Sequence, residues 1–242
     1  MASKLWTADQ LAEYLQVGVE TVWRYTRERK LPAIKLGNHY RYPVDEVMEA
    51  LKHVRERPDG TRPLNEQQRM TLEEFTKLPE QAGLQLIDGL LVKEPSPRYG
   101  HQATIGNLFV QMATYVKDRR LGRVILAPFD VVLANDQVLQ PDIMFVANER
   151  LSLIQEVGLF GAPDLAVEVL SPSTRVYDEG RKRELYFEHG CSELWIVDPD
   201  ELTVILSVRG DTGWEDTLLK HNEVLVSPTL MGFRLELDTL AP

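Results

Sequence analysis

Two acidic side chains set in apolar runs, and a lysine a short way downstream, are the residues of this 242-residue chain whose types could do chemistry. Asp142 lies inside Val138 to Val146, which reads as one strand. Glu168 lies in the run Leu165-Ala166-Val167-Glu168-Val169-Leu170. Alternation of period two puts Leu165, Val167 and Val169 on one face and Ala166, Glu168 and Leu170 on the other. A carboxylate in a buried strand must be paired, hydrogen-bonded or bound to a metal. Two of them on neighbouring strands repel each other unless a cation lies between. With no cysteine or histidine cluster nearby, such hard oxygen ligands select Mg²⁺, with Mn²⁺ acceptable and Zn²⁺ disfavoured. Asp142 and Glu168 are therefore the expected metal ligands. The competing reading is a pair of strand-end carboxylates facing water.

The lysine strengthens the first reading. After the turn Ser171-Pro172-Ser173-Thr174, the segment from Asp178 to His189 reads as a helix. Its apolar stripe is Leu185, Tyr186 and His189. Lys182 falls on that stripe, with Asp178 one turn earlier, while Arg181, Glu184 and Glu188 point away. A cation aimed at the core would neutralise the two acids, or orient a water and stabilise a pentacovalent phosphorane. The bland alternative is a lysine whose stem packs while its amine reaches water.

At these residues the chain resembles a known pattern. Pro141-Asp142, a gap, then Glu168-x-Leu170 looks like the PD-(D/E)xK nuclease motif, with Leu170 where the motif carries its lysine. Residues 70–242 more specifically resemble the Uma-two family of restriction-endonuclease-like proteins. The matching pieces are LQLIDGLLV at 84–92, His101 at the opening of a helix, QPDIMFV at 140–146, PDLAVEVLSPSTR at 163–175 and ELWIVDP at 193–199. The resemblance implies that the following helix supplies the missing lysine, which falls on Lys182. It also implies a glutamate before LIDG, where this chain has the neutral Gln85. Gln85 and His101 are thus second-tier site candidates, with a hydrogen-bonded structural histidine as the competing reading of His101. Asp130 is a further acid within reach of the site or at a strand end.

The elements that must position these residues follow from the pattern. Thr71 to Phe75 opens this region as a short capped helix. Leu84 to Val92 folds back across Asp88-Gly89 as a hairpin. His101 to Arg119 is a helix with Ile105, Leu108, Phe109, Met112, Ala113 and Val116 on one face. Val124 to Leu133 pairs with Val138 to Val146, and later strands run over 195–197 and 204–208 before a β-rich tail.

The first residues read differently. Thr7 is an N-cap for a helix from Ala8 to Leu15 with Leu11, Ala12 and Leu15 inward, and a turn at Val17-Gly18 leads to a second helix from Val19 to about Arg29. A hairpin follows around Gly37-Asn38, then a helix from Val44 to Val54. This order resembles the excisionase or MerR-like winged helix-turn-helix family over residues 5–52. The resemblance assigns Glu20, Thr21, Arg24 and Arg27 to the major groove or phosphates, and Asn38, His39 and Arg41 to the wing. The alternative is a protein-binding helical module.

The net charge of −10 hides an asymmetry. Residues 1–69 hold 12 Lys+Arg against 10 Asp+Glu, a net +2, and residues 70–242 hold 15 against 27, a net −12. The acidic part repels a phosphate backbone unless local basic patches, metal ions or the other domain help. Segment 55–69, charged and carrying Pro58, Gly60 and Pro63, is the linker. The one cysteine, Cys191, forms no intramolecular disulfide and reads as a packed small hydrophobe. With no secretion signal or membrane-spanning run, the expected compartment is the cytoplasm.

The expected architecture is an α/β (α+β) restriction-endonuclease-like domain with a mixed sheet at 70–242, preceded by a small winged helix-turn-helix domain at 1–54. The expected function is Mg²⁺-dependent hydrolysis of DNA by Asp142, Glu168 and Lys182, delivered to its site by the first domain. DNA is the expected partner, with a homodimer a further expectation and no membrane. The alternative is a non-enzymatic transcriptional regulator whose nuclease-like body serves dimerisation; Gln85 and the −12 balance favour it.

Overall fold

The computed structural model describes residues 5–15, 19–27, 31–36, 39–44, 46–47, 69–78, 83–94, 97–171 and 175–241. The chain divides into two compact units, Met1–Pro63 and Leu64–Pro242.

In the first unit, helix α1 (Ala8–Leu15) starts where Thr7 caps it: the Gln10 N–H donates to Thr7 Oγ1 at 3.2 Å, and the Thr7 N–H to Gln10 Oε1 at 3.0 Å. Helix α2 (Val19–Arg27) packs on it. The expected hairpin forms from β2 (Ile34–Leu36) and β3 (His39–Pro43), and the short β1 (Leu5–Trp6) adds to β3. Leu11, Ala12, Val22, Leu31, Tyr42 and Val47 form the core. Of the helix expected over 44–54, Val44, Glu46 and Val47 are described and helical; the rest, including Leu51, lies outside the described residues.

The second unit opens with α3 (Leu72–Phe75), whose N-cap Thr71 and N3 residue Glu74 make a reciprocal capping box. Strands β4 (Leu84–Ile87) and β5 (Leu90–Lys93) turn across Asp88 and Gly89, at φ 52° and 73°. Two successive positive φ values define a tight type I′ turn, which explains the Asp-Gly pair. The long helix α4 (Tyr99–Arg119) buries Ile105, Leu108, Met112 and Val116, the stripe read from the sequence.

Two expected elements are broken, and both breaks matter for the site. Val138 to Val146 is two strands: β8 (Gln137–Leu139) and β9 (Ile143–Ala147) lie in different sheets. Pro141 has no N–H for a ladder, so the chain crosses from one sheet to the other there. Asp142 stands at that crossing, just before β9, rather than in mid-strand. Val124 to Leu133 likewise splits into β6 (Gly122–Leu126) and β7 (Val131–Ala134), which pair with β9 and β8 respectively. The helix expected over 178–189 is also two pieces, α5 (Arg175–Asp178) and α6 (Arg181–Glu188). Gly180, a poor helix former at φ −112° and ψ −108°, separates them.

Among the described residues, two six-stranded sheets make up most of this unit. The first has the order β10-β11-β7-β8-β4-β5, adding β10 (Ile154–Gln155) and β11 (Gly158–Phe160). The second has the order β15-β14-β13-β12-β9-β6. Its added strands are β12 (Leu165–Val169), β13 (Glu193–Asp198), β14 (Thr203–Arg209) and β15 (Trp214–Leu219). It is mixed, since β12 runs parallel to β13 and antiparallel to β9. Strand β12 is buried on both faces. Leu165, Val167 and Val169 join α4 in one core, while Ala166 and Leu170 join Leu185 and Tyr186 in the other. No described helix is long and apolar enough to cross a membrane.

Candidate active site

Glu168 shares its face of β12 with Ala166 and Leu170, and it is 2% exposed. Both carboxylate oxygens are engaged. Oε1 accepts from the Tyr186 hydroxyl at 2.7 Å, and Oε2 accepts from Lys182 Nζ at 3.1 Å. Lys182 and Tyr186 are one turn apart on α6, so both side chains present to the same strand. Lys182 is itself 1% exposed, and its stem packs against the core without its amine reaching water. That excludes the snorkelling alternative. Nζ also pairs with Asp178 Oδ1 at 2.9 Å and with Glu94 Oε1 at 3.2 Å.

Asp142 reaches the same strand from the sheet crossing. Its Oδ2 accepts the Val169 N–H at 2.7 Å and stands 3.6 Å from His101 Nε2, which the first turn of α4 supplies. Among the described residues Asp142 makes no ion pair with Lys182. The lysine therefore serves Glu168, Asp178 and Glu94, and Asp142 with His101 forms the more open side, with side chains 13% and 14% exposed.

The charges are unbalanced. Burial drives the Glu168 carboxyl well above the usual range; Lys182 pulls it back, while Asp178, Asp142 and Glu94 push it further up. Burial acts against the charged lysine, but Asp178, Glu168 and Glu94 together hold Lys182 well above its ordinary value. One ammonium cannot satisfy every carboxylate around it, and Glu168 bears the deficit. Burial, then the neighbouring Glu168, raise Tyr186, which keeps its proton and donates it. For His101, burial works against the imidazolium, but the Asp142 carboxylate 3.6 Å away outweighs it and the net shift is upward. Burial pushes the Cys191 thiol up to about 12, as suits a packed side chain rather than a nucleophile.

Gln85 is fully buried on β4. Its amide donates to Glu94 Oε1, and its carbonyl accepts the Gln140 N–H at 3.0 Å. Gln140 in turn donates to Asp130 Oδ1 at 2.6 Å, so Asp130 belongs to this outer polar chain. Gln85 thus meets the lysine cluster through Glu94. Glu94, Asp178 and Tyr186 join the cluster without a site role expected from the sequence. Asp178 and Tyr186 stand at helical spacing from Lys182, which is a signal; Glu94 follows β5, where the Glu94 N–H still donates to the Gly83 carbonyl at 2.8 Å and extends the hairpin.

In the first unit, Arg41 lies half-buried on β3 and donates to the Tyr40 carbonyl at 3.0 Å. Glu20, Thr21, Arg24 and Arg27 lie on α2 and His39 on β3, but their side chains fall outside the described residues, as does the whole of Asn38.

The donor set can be tested against a divalent ion. Among the described residues no cluster of three or more His, Cys, Asp or Glu is arranged to hold a metal. A closed four-ligand site of the zinc kind is therefore not what these residues build. Mg²⁺ makes a smaller demand: one or two carboxylates, with waters and substrate phosphates completing the shell. Asp142 and Glu168 are carboxylates of the type that meets that demand, with Asp142 on the more open side and both Glu168 oxygens accepting from protein donors.

The unit is a mixed α/β fold in which the chain passes between two sheets at an acidic turn, with a buried acid and lysine behind it. The comparisons give its class as restriction-endonuclease-like. Residues 72–238 match the Uma2 family, described as "Putative restriction endonuclease", and residues 7–54 match a helix-turn-helix domain. The chain belongs to the Uma2 family. It is similar in structure to a crystal structure from Anabaena variabilis described as "a putative nuclease belonging to DUF820", with a TM-score of 0.62 and 25% identity. That match covers 71% of this chain and 97% of the other. No curated protein matches.

Proposed function

We propose that this protein is a metal-dependent DNA endonuclease whose helix-turn-helix domain selects where it cuts. The observation that carries the reading is the convergence of Asp142, Glu168 and Lys182 from three separate elements within a family of nuclease-like proteins. Asp142 and Glu168 would hold one or two Mg²⁺ ions, with Mn²⁺ a substitute. A hard divalent ion there supplies positive charge to the attacking and leaving oxygens of a phosphodiester. Lys182 does two things in this reading. Its ammonium offsets the carboxylates that would otherwise repel the substrate, and from behind Glu168 its positive charge would favour the phosphorane through the field rather than by contact. Asp178 and Glu94 keep Lys182 charged and aimed, and Tyr186 fixes the second oxygen of Glu168. His101, held by Asp142, stands where it can exchange a proton at the open side.

A second reading has its own support. Both Glu168 oxygens are already bonded to protein donors, and Gln85 stands where the family pattern carries a glutamate. Such a pocket would suit a DNA-binding regulator whose nuclease-like body is catalytically silent.

One experiment separates them. Purified protein is incubated with supercoiled plasmid and Mg²⁺ or Mn²⁺, beside an Asp142→Ala variant, with a calorimetric metal titration of both. Nicking or linearisation by the wild type, reduced at least a hundredfold in Asp142→Ala together with loss of metal binding, is the expected result. No cleavage with either ion and no heat of metal binding would leave the regulator reading standing.

A further inference from the structure

At the far end of α4 from His101, an open cleft of about 290 Å³ is lined by Lys117, Arg120 and Arg123, with Gly122 and Asn148 beside them. Arg119 lies next to it, with its guanidinium over the Tyr115 ring at 3.8 Å. The bland account is that basic residues in a last helical turn complement the helix dipole. That account covers Lys117 and Arg119 on α4, but not Arg123, which comes from β6.

In this unit Lys77, Arg150, Arg175, Arg181, Lys182 and Arg183 each form an ion pair with a carboxylate. Scattered cations such as Lys93, Lys220 and Arg234 form none among the described residues, but in this cleft three such cations line one concavity. Lys117, Arg120 and Arg123 form none among the described residues; Arg123 donates to the Gly122 carbonyl at 3.3 Å and all three are exposed. The acids nearest in sequence, Asp118 and Glu149, are exposed too and make no ion pair with these cations. In a region of net charge −12, three exposed and uncompensated cations converge on one concavity.

We infer that this cleft is a phosphate-binding anchor for duplex DNA on the nuclease unit itself. The inference rests on the reading of the chain as acting on DNA. Arg123 pairs with Val146 on β9, four residues beyond Asp142, which at strand rise is roughly 13 Å. Along α4, Lys117 is sixteen residues beyond His101, roughly 24 Å at helical rise. At 3.4 Å per base pair these spans correspond to about four to seven base pairs from the candidate cutting site. The cleft would grip the backbone there and hold a duplex on a unit whose overall charge repels it.

The test uses the full chain without divalent metal, so that binding is read without cleavage. A thirty-base-pair duplex is titrated by fluorescence anisotropy at several salt concentrations. The variant Lys117→Ala/Arg120→Ala/Arg123→Ala is compared with Lys93→Ala/Lys220→Ala/Arg234→Ala, which removes the same charge from exposed positions away from the cleft. All six positions are exposed, and circular dichroism checks the fold of both variants. The cleft variant is expected to bind at least tenfold more weakly near 0.1 M salt, with the slope of log affinity against log salt shallower by about two to three. The control variant is expected to shift the slope by less than one. Equal effects in the two variants, or no effect in either beside a marked loss in Arg41→Ala, would overturn the anchor while leaving the DNA-directed reading intact. A wild type that binds no duplex at any salt would remove both.

Discussion

Lys182 is fully enclosed, and its nearest neighbours are three carboxylates, so the residue scale is governed by what happens when one of these charges is removed. Lys182→Met keeps the stem's volume but leaves Glu168 and Asp178 buried without a counter-charge. Breaking a buried pair from one side costs about 3–5 kcal/mol. In urea unfolding, that loss is expected for Lys182→Met alone, and a smaller loss is expected for Lys182→Met combined with Glu168→Gln, because the double change removes an orphaned charge. Additive losses would mean that the two groups do not interact. The same imbalance predicts a pH dependence. The folded-state pKa of Glu168 is raised, so between its unfolded value of about 4.3 and the raised value the folded state holds a proton that the unfolded state has released. Stability from this group is therefore complete at low pH and is lost as pH rises through that window. Glu168→Gln should flatten this limb relative to the wild type. Parallel stability profiles for the two proteins from pH 4 to 9 would rule the charge deficit out.

At the scale of elements, the hairpin β4-β5 and the helix α6 hold the cluster between them, and Arg181 ties the two. Its guanidinium reaches both Asp88 oxygens at 2.8–3.2 Å and also meets Glu184 and Glu188. The hydrogen bond from Arg181 is the main cause holding Asp88 below the usual carboxylate range, ahead of the opposing effect of burial. Asp88 thus contributes stability that is present above about pH 3.9 and lost as pH falls through its lowered value. Arg181→Ala should cost about 1 kcal/mol, since the pair is about one-third exposed, and should remove that part of the acid limb; equal denaturation midpoints for variant and wild type at pH 7 would show the tie to be idle. Much of this arrangement was legible in the sequence. Period two in β12 placed Glu168 with Ala166 and Leu170, the helical stripe aimed Lys182 inward, and Asp-Gly marked the hairpin. What was not legible has a physical reason in each case. An apolar run carries no label for the sheet it enters, so the crossing at Pro141 was hidden within what reads as one strand. Glu94 follows a strand end and precedes Pro95, where a charged residue is ordinarily solvated, and only the approach of α6 turns it toward Lys182. Tyr186 counted as apolar because a stripe cannot show which hydroxyl finds a carboxylate.

At the scale of the whole molecule, two units with opposite charge are joined through a segment of unusual composition. The helix-turn-helix unit has its own apolar core of Leu11, Ala12, Val22, Leu31, Tyr42 and Val47, and the nuclease-like unit has separate cores around β12. The stretch Arg55 to Gln68 is rich in charge, carries Pro58 and Pro63, and lacks an apolar period in its sequence. Division of the chain falls within it, between Pro63 and Leu64. Polar segments between folded units are where proteases act first. Trypsin has suitable targets there at Arg55, Arg57, Arg62 and Arg69, although Pro58 and Pro63 shield the bonds that follow Arg57 and Arg62. Brief digestion should therefore cut after Arg55 or Arg69 and release two fragments that persist, one ending near residue 55 and one beginning near residue 70. Mass spectrometry of the earliest products checks this. First cuts inside 100–170, within α4 or the sheets that follow it, would mean that the nuclease-like unit opens more readily than the joining segment, and the two-unit organisation would fail.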